Sequence, residues 1–236
     1  MSVFRFKQFD VDQTGCAMKV NTDGVLLGAI TDAANAQRVL DIGAGTGVIA
    51  LMLAQRFSNL SVDAVELDEV ASRTATTNFA GSPFADRLHS YHQSFQDHFK
   101  DNAAEKYDLI VSNPPFYINS LHSPGATRKL AKHADHGFFE QLITLCPQHL
   151  THEGQLWLVL PIDTAAHVKR LLKDSKLNVQ QVFNIRSFPH SDPHREVLCL
   201  GFTNGQIATS DLAIYAEPKV YTDAYRQLLK EFLTIF

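Results

Sequence analysis

The sequence has little of what marks an exported, membrane-bound or metal-clamped protein. Its three cysteines, Cys16, Cys146 and Cys199, are odd in number and widely spaced, with no Cys-x-x-Cys pair. That excludes a disulfide framework or a zinc clamp and leaves reduced, packed thiols of a cytoplasmic protein as the expectation. Apolar runs such as 156–160 fall far short of the roughly 20 residues that span a bilayer. Residues 1–10 mix phenylalanine with Arg5, Lys7 and Gln8 where a signal peptide would carry an apolar block. No membrane association is expected. Positive charge is not in excess: 21 Lys and Arg face 25 Asp and Glu, a formal net charge of −4. This excludes a surface coated for non-specific nucleic-acid binding but leaves room for a local basic patch. Internal repeats and low-complexity segments are absent as well.

What is there is a chain of 236 residues, 45% hydrophobic and 19% charged, enough for one globular α/β domain with a buried core and too short for two ordinary domains and a linker. Strand-like and helix-like segments alternate, the pattern of parallel strands joined by crossover helices. Strands are predicted at 39–42, 62–67, 88–92, 107–112, 155–160, 179–188 and 196–202. Helices are predicted at 46–56, from a cap at Asp68 to about 80, and at 138–150, 164–173 and 223–232. Residues 118–136 lack a sustained apolar period and read as a long loop. Ahead of this core (36–236), the segment 1–35 reads as an extension: Phe4, Phe6 and Phe9 suggest a short strand, and Thr22 can cap a helix over 25–33. A monomer is expected.

The first strand ends in Asp41-Ile42-Gly43-Ala44-Gly45-Thr46-Gly47. Gly43, Gly45 and Gly47 let the backbone turn tightly and approach a ligand that side chains would block. The spacing is not the Gly-x-Gly-x-x-Gly of a dinucleotide site, and Asp41 would repel a pyrophosphate. It can instead accept hydrogen bonds, directly or through water, from a cationic amino-acid group. About twenty residues on, Glu66, with Leu67 beside it, ends the second strand, where a carboxylate can hold both hydroxyls of a ribose. Two carboxylates around a glycine turn suit a nucleoside that carries an amino acid and no phosphate. A bare tight turn and a solvated strand end are the alternative, but both motifs in register inside one βαβ unit favour a cofactor. The pair resembles the class I S-adenosylmethionine methyltransferases, which implies a Rossmann-like, seven-stranded, mostly parallel sheet with helices on both faces and an antiparallel final strand. Such families often place an acid after the third strand to bind adenine. Here Gln93-Ser94-Phe95 stands there, with Ser94 and Phe95 as candidate contacts.

The fourth strand stops at Asn113-Pro114-Pro115-Phe116, at the end where open α/β sheets place ligands. An amino group conjugated to a π system is a poor nucleophile. An asparagine oxygen (Asn113) and a proline carbonyl (Pro114) that accept its two N–H groups would hold its lone pair in line for attack. Asn113 would also border the cofactor. Pro115 stiffens the turn, and Phe116 or Tyr117 can stack on a planar substrate. The tetrapeptide names the kind of nitrogen, not the substrate: adenine N6, guanine N2 and a glutamine amide all remain open. The stretch from Cys16 to Gly28, these motifs and residues 225–236 together resemble the bacterial valine-tRNA adenine-N6 methyltransferase family over nearly the whole chain. That resemblance implies a tRNA partner, an adenosine 3′ of the anticodon as target, S-adenosyl-L-methionine as donor and no metal. It also implies a leading segment that covers the cofactor, with Lys19, Thr22 and Asp23 at its edge. Release-factor glutamine or rRNA guanine methylation, and a silent RNA-binding module, are the competing readings. Arg128, Lys129, Lys132 and His133, in the 118–136 segment, are candidate phosphate contacts, and Arg186, His190, His194 and Arg195 are candidates to extend that patch.

Overall fold

The computed structural model describes residues 2–114 and 125–236, and along 125–136 the backbone alone. A two-stranded hairpin opens the chain, β1 (Val3–Arg5) and β2 (Asp10–Asp12), where one strand is expected from sequence. Helix α1 (Thr22–Ile30) follows. The alternating core runs β3 (Arg38–Ile42), α2 (Val48–Arg56), β4 (Ser61–Glu66), α3 (Glu69–Ala80), β5 (Leu88–His92), α4 (Phe95–Asp101) and β6 (Tyr107–Ser112). It continues with α5 (Gly125–His149), β7 (Leu150–Pro161), α6 (Ile162–Leu171), β8 (Asn178–Arg186) and β9 (Pro193–Gly201). The chain closes with β10 (Ala208–Ala213), β11 (Tyr215–Glu217), β12 (Val220–Tyr221) and α7 (Asp223–Leu229).

The main sheet has the order β10-β8-β9-β7-β6-β3-β4-β5. All its pairings are parallel except those of β9, which is antiparallel to both β7 and β8. The Rossmann-like fold is present and the strand expected last, at 196–202, is the antiparallel β9, but the strand count is eight and not seven, so β9 is not the final strand of the sheet. The extra strand is β10, whose residues (Ala-Thr-Ser-Asp-Leu-Ala) carry no apolar alternation. It lies parallel along β8 at the sheet edge, where polar side chains facing water are usual.

The long apolar strands are buried on both faces, as a sheet covered by crossover helices requires. In β3, Val39 joins one core with Leu51, Leu53, Leu109 and Trp157, while its neighbour Leu40 joins the other with Ile110, Leu142 and Leu158. Helices α1, α2, α3 and α7 contribute to the first core; α4, α5 and α6 to the second. The termini lock together on the first face: Lys7 N donates to Phe232 O at 2.8 Å, and Phe6 bridges to Leu233. All three cysteines are free and buried, as their spacing suggests, and burial raises the thiols of Cys146 and Cys199 above the usual range.

The segment 118–136 is a further correction: from Gly125 onward it is the start of α5, not loop. Its Ala126, Arg128, Lys129, Leu130, Ala131 and Lys132 are strong helix formers, and intrinsic propensity decides where no apolar period is present. A helix also starts where the glycine turn ends. Gly47, at φ +82°, precedes α2, and a Cβ placed on it would lie 2.4 Å from Cε1 of Phe79 on α3. Gly47→Ala is expected to destabilise the fold by roughly 2–5 kcal/mol, through both the left-handed backbone and the overlap. Urea unfolding checks this; a midpoint unchanged from wild type would contradict it.

Candidate active site

The carboxyl ends of β3, β4 and β6 meet at one edge of the sheet and carry the glycine turn, Glu66 and Asn113. Backbone bonds tie the first two ends together: Gly43 N and Ala44 N donate to Val65 O at 2.9 and 3.2 Å. A buried Ser112 hydroxyl ties in the third, donating to Ile42 O at 2.7 Å. Asn113 follows directly, so the tip of β6 is held against the turn.

Gly43 and Gly45 both have positive φ, +70° and +57°, and a Cβ on either would point into open space. The glycines there relieve no clash. They shape a bare backbone shelf, and any side chain would fill it. Glu66 closes one side of the shelf: Oε2 accepts from Gly45 N and Oε1 from Asp68 N, each at 2.8 Å. Both oxygens are thereby aimed, and each keeps a lone pair for a further donor. Leu67, next to it, is a large apolar side chain left 71% exposed, an apolar surface suited to one face of a ring.

Asp41 is the anomaly of the site. It is wholly buried, and neither carboxylate oxygen has a hydrogen-bond partner among the described residues. Desolvation pushes its pKa up to about 7; the Ala50 amide counteracts this without closing a bond of normal geometry, and the charge of Glu66 adds to the rise. An orphaned carboxylate under a glycine shelf is costly unless a ligand or water repays it. The chemistry of Asp41 and Glu66 fits a ligand that carries a cationic group and hydroxyls.

Helix α1 reaches the same place from the opposite side. Its cap is Asn21, not Thr22: the Asn21 side chain accepts from Gly24 N at 2.9 Å. Thr22, the first helical residue, is exposed and free of the capping role, and Lys19 is exposed too. A Cβ on Gly24 would lie 3.5 Å from Nδ2 of Asn113 and 3.7 Å from Oδ1 of Asn21. A side chain there would just meet the Asn113 amide, so bare Gly24 brings the start of α1 beside it. Asn21 is a site-forming residue that the sequence reading passed over, although asparagine three residues before a helical N–H is a strong capping signal. Asp23 is engaged elsewhere, by Arg195.

Two expected contacts are drawn into the fold. Ser94 caps α4, accepting from Asp97 N at 3.1 Å and donating to Asp97 Oδ2 at 2.6 Å. Phe95 is 5% exposed and packs edge-on against Phe99 and Phe138. The Ser94 hydroxyl is thus bonded within its own helix cap, and the Phe95 ring lies in the core. Gln93, just before them, was not a candidate. Its side-chain amide meets Nδ1 of buried His98 at 2.6 Å; Nε2 of His98 meets the Tyr107 hydroxyl at 2.8 Å, which donates to Asp63 at 3.1 Å. Because the carboxylate only accepts, the chain of donors runs from Gln93 to Asp63, and burial holds His98 neutral by lowering its pKa. Pro114 is buried. Pro115, Phe116 and Tyr117 lie outside the described residues, as do the side chains of Arg128, Lys129, Lys132 and His133, whose backbone is in α5. Of the proposed late-strand patch, Arg186 is paired with Asp211 and Arg195 with Asp23.

This architecture defines the class, and comparison with known proteins agrees. Residues 17–189 match the family model of the methyltransferase small domain. The chain is 46% identical over 235 residues to the tRNA1(Val) (adenine(37)-N6)-methyltransferase of Pedobacter heparinus, covering 100% of this chain and 99% of that one. It is 41% identical to the protein of the same name from Flavobacterium psychrophilum, covering 98% of each. The chain belongs to the methyltransferase small-domain family and, within it, to the group of the tRNA1(Val) (adenine(37)-N6)-methyltransferases. The fold is shared more widely. An Agrobacterium tumefaciens protein described as a predicted O-methyltransferase superposes with a TM-score of 0.69 at 16% identity, covering 89% of this chain and 96% of that one. The ribosomal protein L11 methylase of Lactobacillus delbrueckii gives 0.58 at 16% identity, covering 82% and 84%. Among the described residues no helix is long and apolar enough to cross a membrane, and no group of three or more His, Cys, Asp or Glu is brought together as for a metal.

Proposed function

We propose that the chain transfers the methyl group of S-adenosyl-L-methionine to N6 of an adenine in tRNA, the adenosine 3′ of the anticodon of valine tRNA. The observation that carries this is the placement of Asn113 at the tip of β6, joined through Ser112 to the glycine shelf and facing the start of α1. The curated relatives bear the name of that activity over their whole length.

Bound on the shelf, the cofactor supplies an electrophilic methyl group. Asp41, with the exposed Lys19 and Thr22, would surround its amino-acid end, Glu66 its ribose hydroxyls, and Leu67 its base. The extension 1–35 acts as the cover of this site. Asn113 Nδ2 is the amide atom nearest a Cβ built on Gly24, and Oδ1 would be the acceptor for the substrate amine. Oδ1 and the Pro114 carbonyl would each take one hydrogen of the adenine 6-amino group. Holding both N–H bonds in this way localises the nitrogen lone pair and aims it. So held, the nitrogen would be the acceptor of the methyl group that the bound cofactor supplies, and its surplus proton would leave to water. The base must be out of its stack to reach this point; Phe116 and Tyr117 are placed in sequence to stack on it, and Arg128, Lys129, Lys132 and His133 to meet phosphates.

Incubation with methyl-labelled S-adenosylmethionine and unmodified bulk tRNA, followed by digestion to nucleosides, is expected to give labelled N6-methyladenosine. Label in guanosine, or in protein alone, would contradict the proposal.

A further inference from the structure

Asp23 and Arg195 are 172 residues apart in sequence, yet Arg195 Nε donates to Asp23 Oδ2 at 2.9 Å. The Arg195 and Asp23 side chains are 29% and 20% exposed, so the pair is better shielded than an ordinary surface ion pair. Arg195 is itself fixed. It stands on β9, opposite Pro161 of β7 and Ile185 of β8, and its Nη1 donates to His194 O at 2.9 Å. Pro161 ends β7 at the same sheet edge as Asn113 ends β6, because the two strands are parallel neighbours. Asp23 occupies the first turn of α1, where a negative charge is also favoured by the helix dipole. The next residue, Gly24, is the one that faces Asn113.

We propose that Arg195 is a positioning residue for the methyl transfer: through Asp23 it pins the first turn of α1, the turn whose bare Gly24 backbone stands beside the Asn113 amide, and so fixes the space in which that amide meets the substrate amine. This rests on the reading of Asn113 given above. It assigns Arg195 a task different from a phosphate contact, the role its place in a cationic patch suggests. It also gives the late β8–β9 hairpin, remote in sequence from every methyltransferase motif, a share in building the site.

Steady-state methylation of tRNA by Arg195→Ala, Arg195→Lys, Asp23→Asn and the double variant Arg195→Ala with Asp23→Asn tests this. Arg195→Ala is expected to lower kcat by about ten- to a hundred-fold, because small misplacements near the reacting atoms are costly. KM for tRNA should change by less than about three-fold. Arg195→Lys should recover most of the loss, and the double variant should be no slower than the worse single one, since both remove one coupling. A raised KM for tRNA with unchanged kcat and a weaker salt dependence would assign Arg195 to a phosphate and overturn the proposal. Additive losses would overturn it too. Hydrogen exchange on the cofactor-free protein provides a readout independent of the reaction: the Gly24 and Val25 amides should exchange faster in Arg195→Ala than in wild type. Unchanged exchange would sink the pinning role whatever the activity shows, whereas faster exchange in a protein without methyltransferase activity would remove only the functional reading.

Discussion

Replacing Asn113 by alanine is expected to lower kcat for tRNA methylation by about 10²–10³ while donor affinity stays within about two-fold of wild type. The expectation follows from what the amide would do. The adenine 6-amino group is nearly planar in the ground state, with its lone pair shared with the ring. An acceptor at Oδ1 gains most as that nitrogen pyramidalises and its N–H bonds become more acidic, so its loss is felt in the transition state more than in binding. Alanine removes the acceptor without disturbing the strand tip, because Ser112 and the buried Pro114 hold that tip by other contacts. Donor binding by calorimetry and single-turnover methylation separate the two quantities. A parallel loss of both would make Asn113 a cofactor ligand alone and not the group that holds the amine.

The second large effect concerns Asp41. Asp41→Asn should stabilise the cofactor-free protein and weaken donor binding, moving the two in opposite directions. In the folded chain this carboxyl has its pKa pushed up to about 7 by desolvation first, with Glu66 adding to it, whereas in the unfolded chain it ionises near about 4. Between those values the folded state holds a proton that the unfolded state has lost. Stability therefore falls as pH rises through about 4 to 7, and above that window the cost is constant. Asparagine removes this dependence. At pH 8 the variant should be more stable by an amount on the order of 2–4 kcal/mol. An ammonium group placed over the shelf restores a partner to the carboxylate and lowers its pKa. Donor affinity of the wild type should therefore rise between pH 6 and 8 with release of a proton, while that of Asp41→Asn stays flat and about ten-fold or more weaker at pH 8. Thermal unfolding of both proteins across this pH range, with calorimetry in two buffers of different ionisation enthalpy, measures each part. Equal pH slopes for the two proteins would show that Asp41 is not the group involved.

What could be read from the sequence, and what could not, divides along the range of the interactions. The glycine turn, Glu66, Asn113 and the strands that carry them are local patterns: a β-prone run, a turn that needs positive φ, a proline stop. Each is decided by residues a few positions apart, and the structure places all three tips together. The cap of α1 lies one position before the expected one: Asn21 and Thr22 are both good caps, and it is the Asn21 side chain that accepts from Gly24 N. Ser94 and Phe95 follow β5, where the hydroxyl is bonded to Asp97 and the ring packs on Phe99 and Phe138; the first is legible as the Ser-x-x-Asp spacing of a helix cap, whereas the packing on Phe138 is a tertiary contact with no local signal. The start of α5 went unread because it relies on helix propensity without an apolar stripe. β10 went unread because an edge strand needs no hydrophobic alternation. The Asp23–Arg195 pair, like the Gln93–His98–Tyr107–Asp63 chain, exists only once the sheet order has brought distant segments together.

The most direct measurement of the central claim is calorimetric titration of the purified chain with S-adenosylhomocysteine, the demethylated cofactor, alongside NAD. One binding event per chain is expected for S-adenosylhomocysteine, lost on Glu66→Ala, and none for NAD. Binding of NAD with no heat from S-adenosylhomocysteine would contradict it, because a shelf walled by Asp41 and Glu66 has been assigned to a ligand with an ammonium and a ribose and without a pyrophosphate.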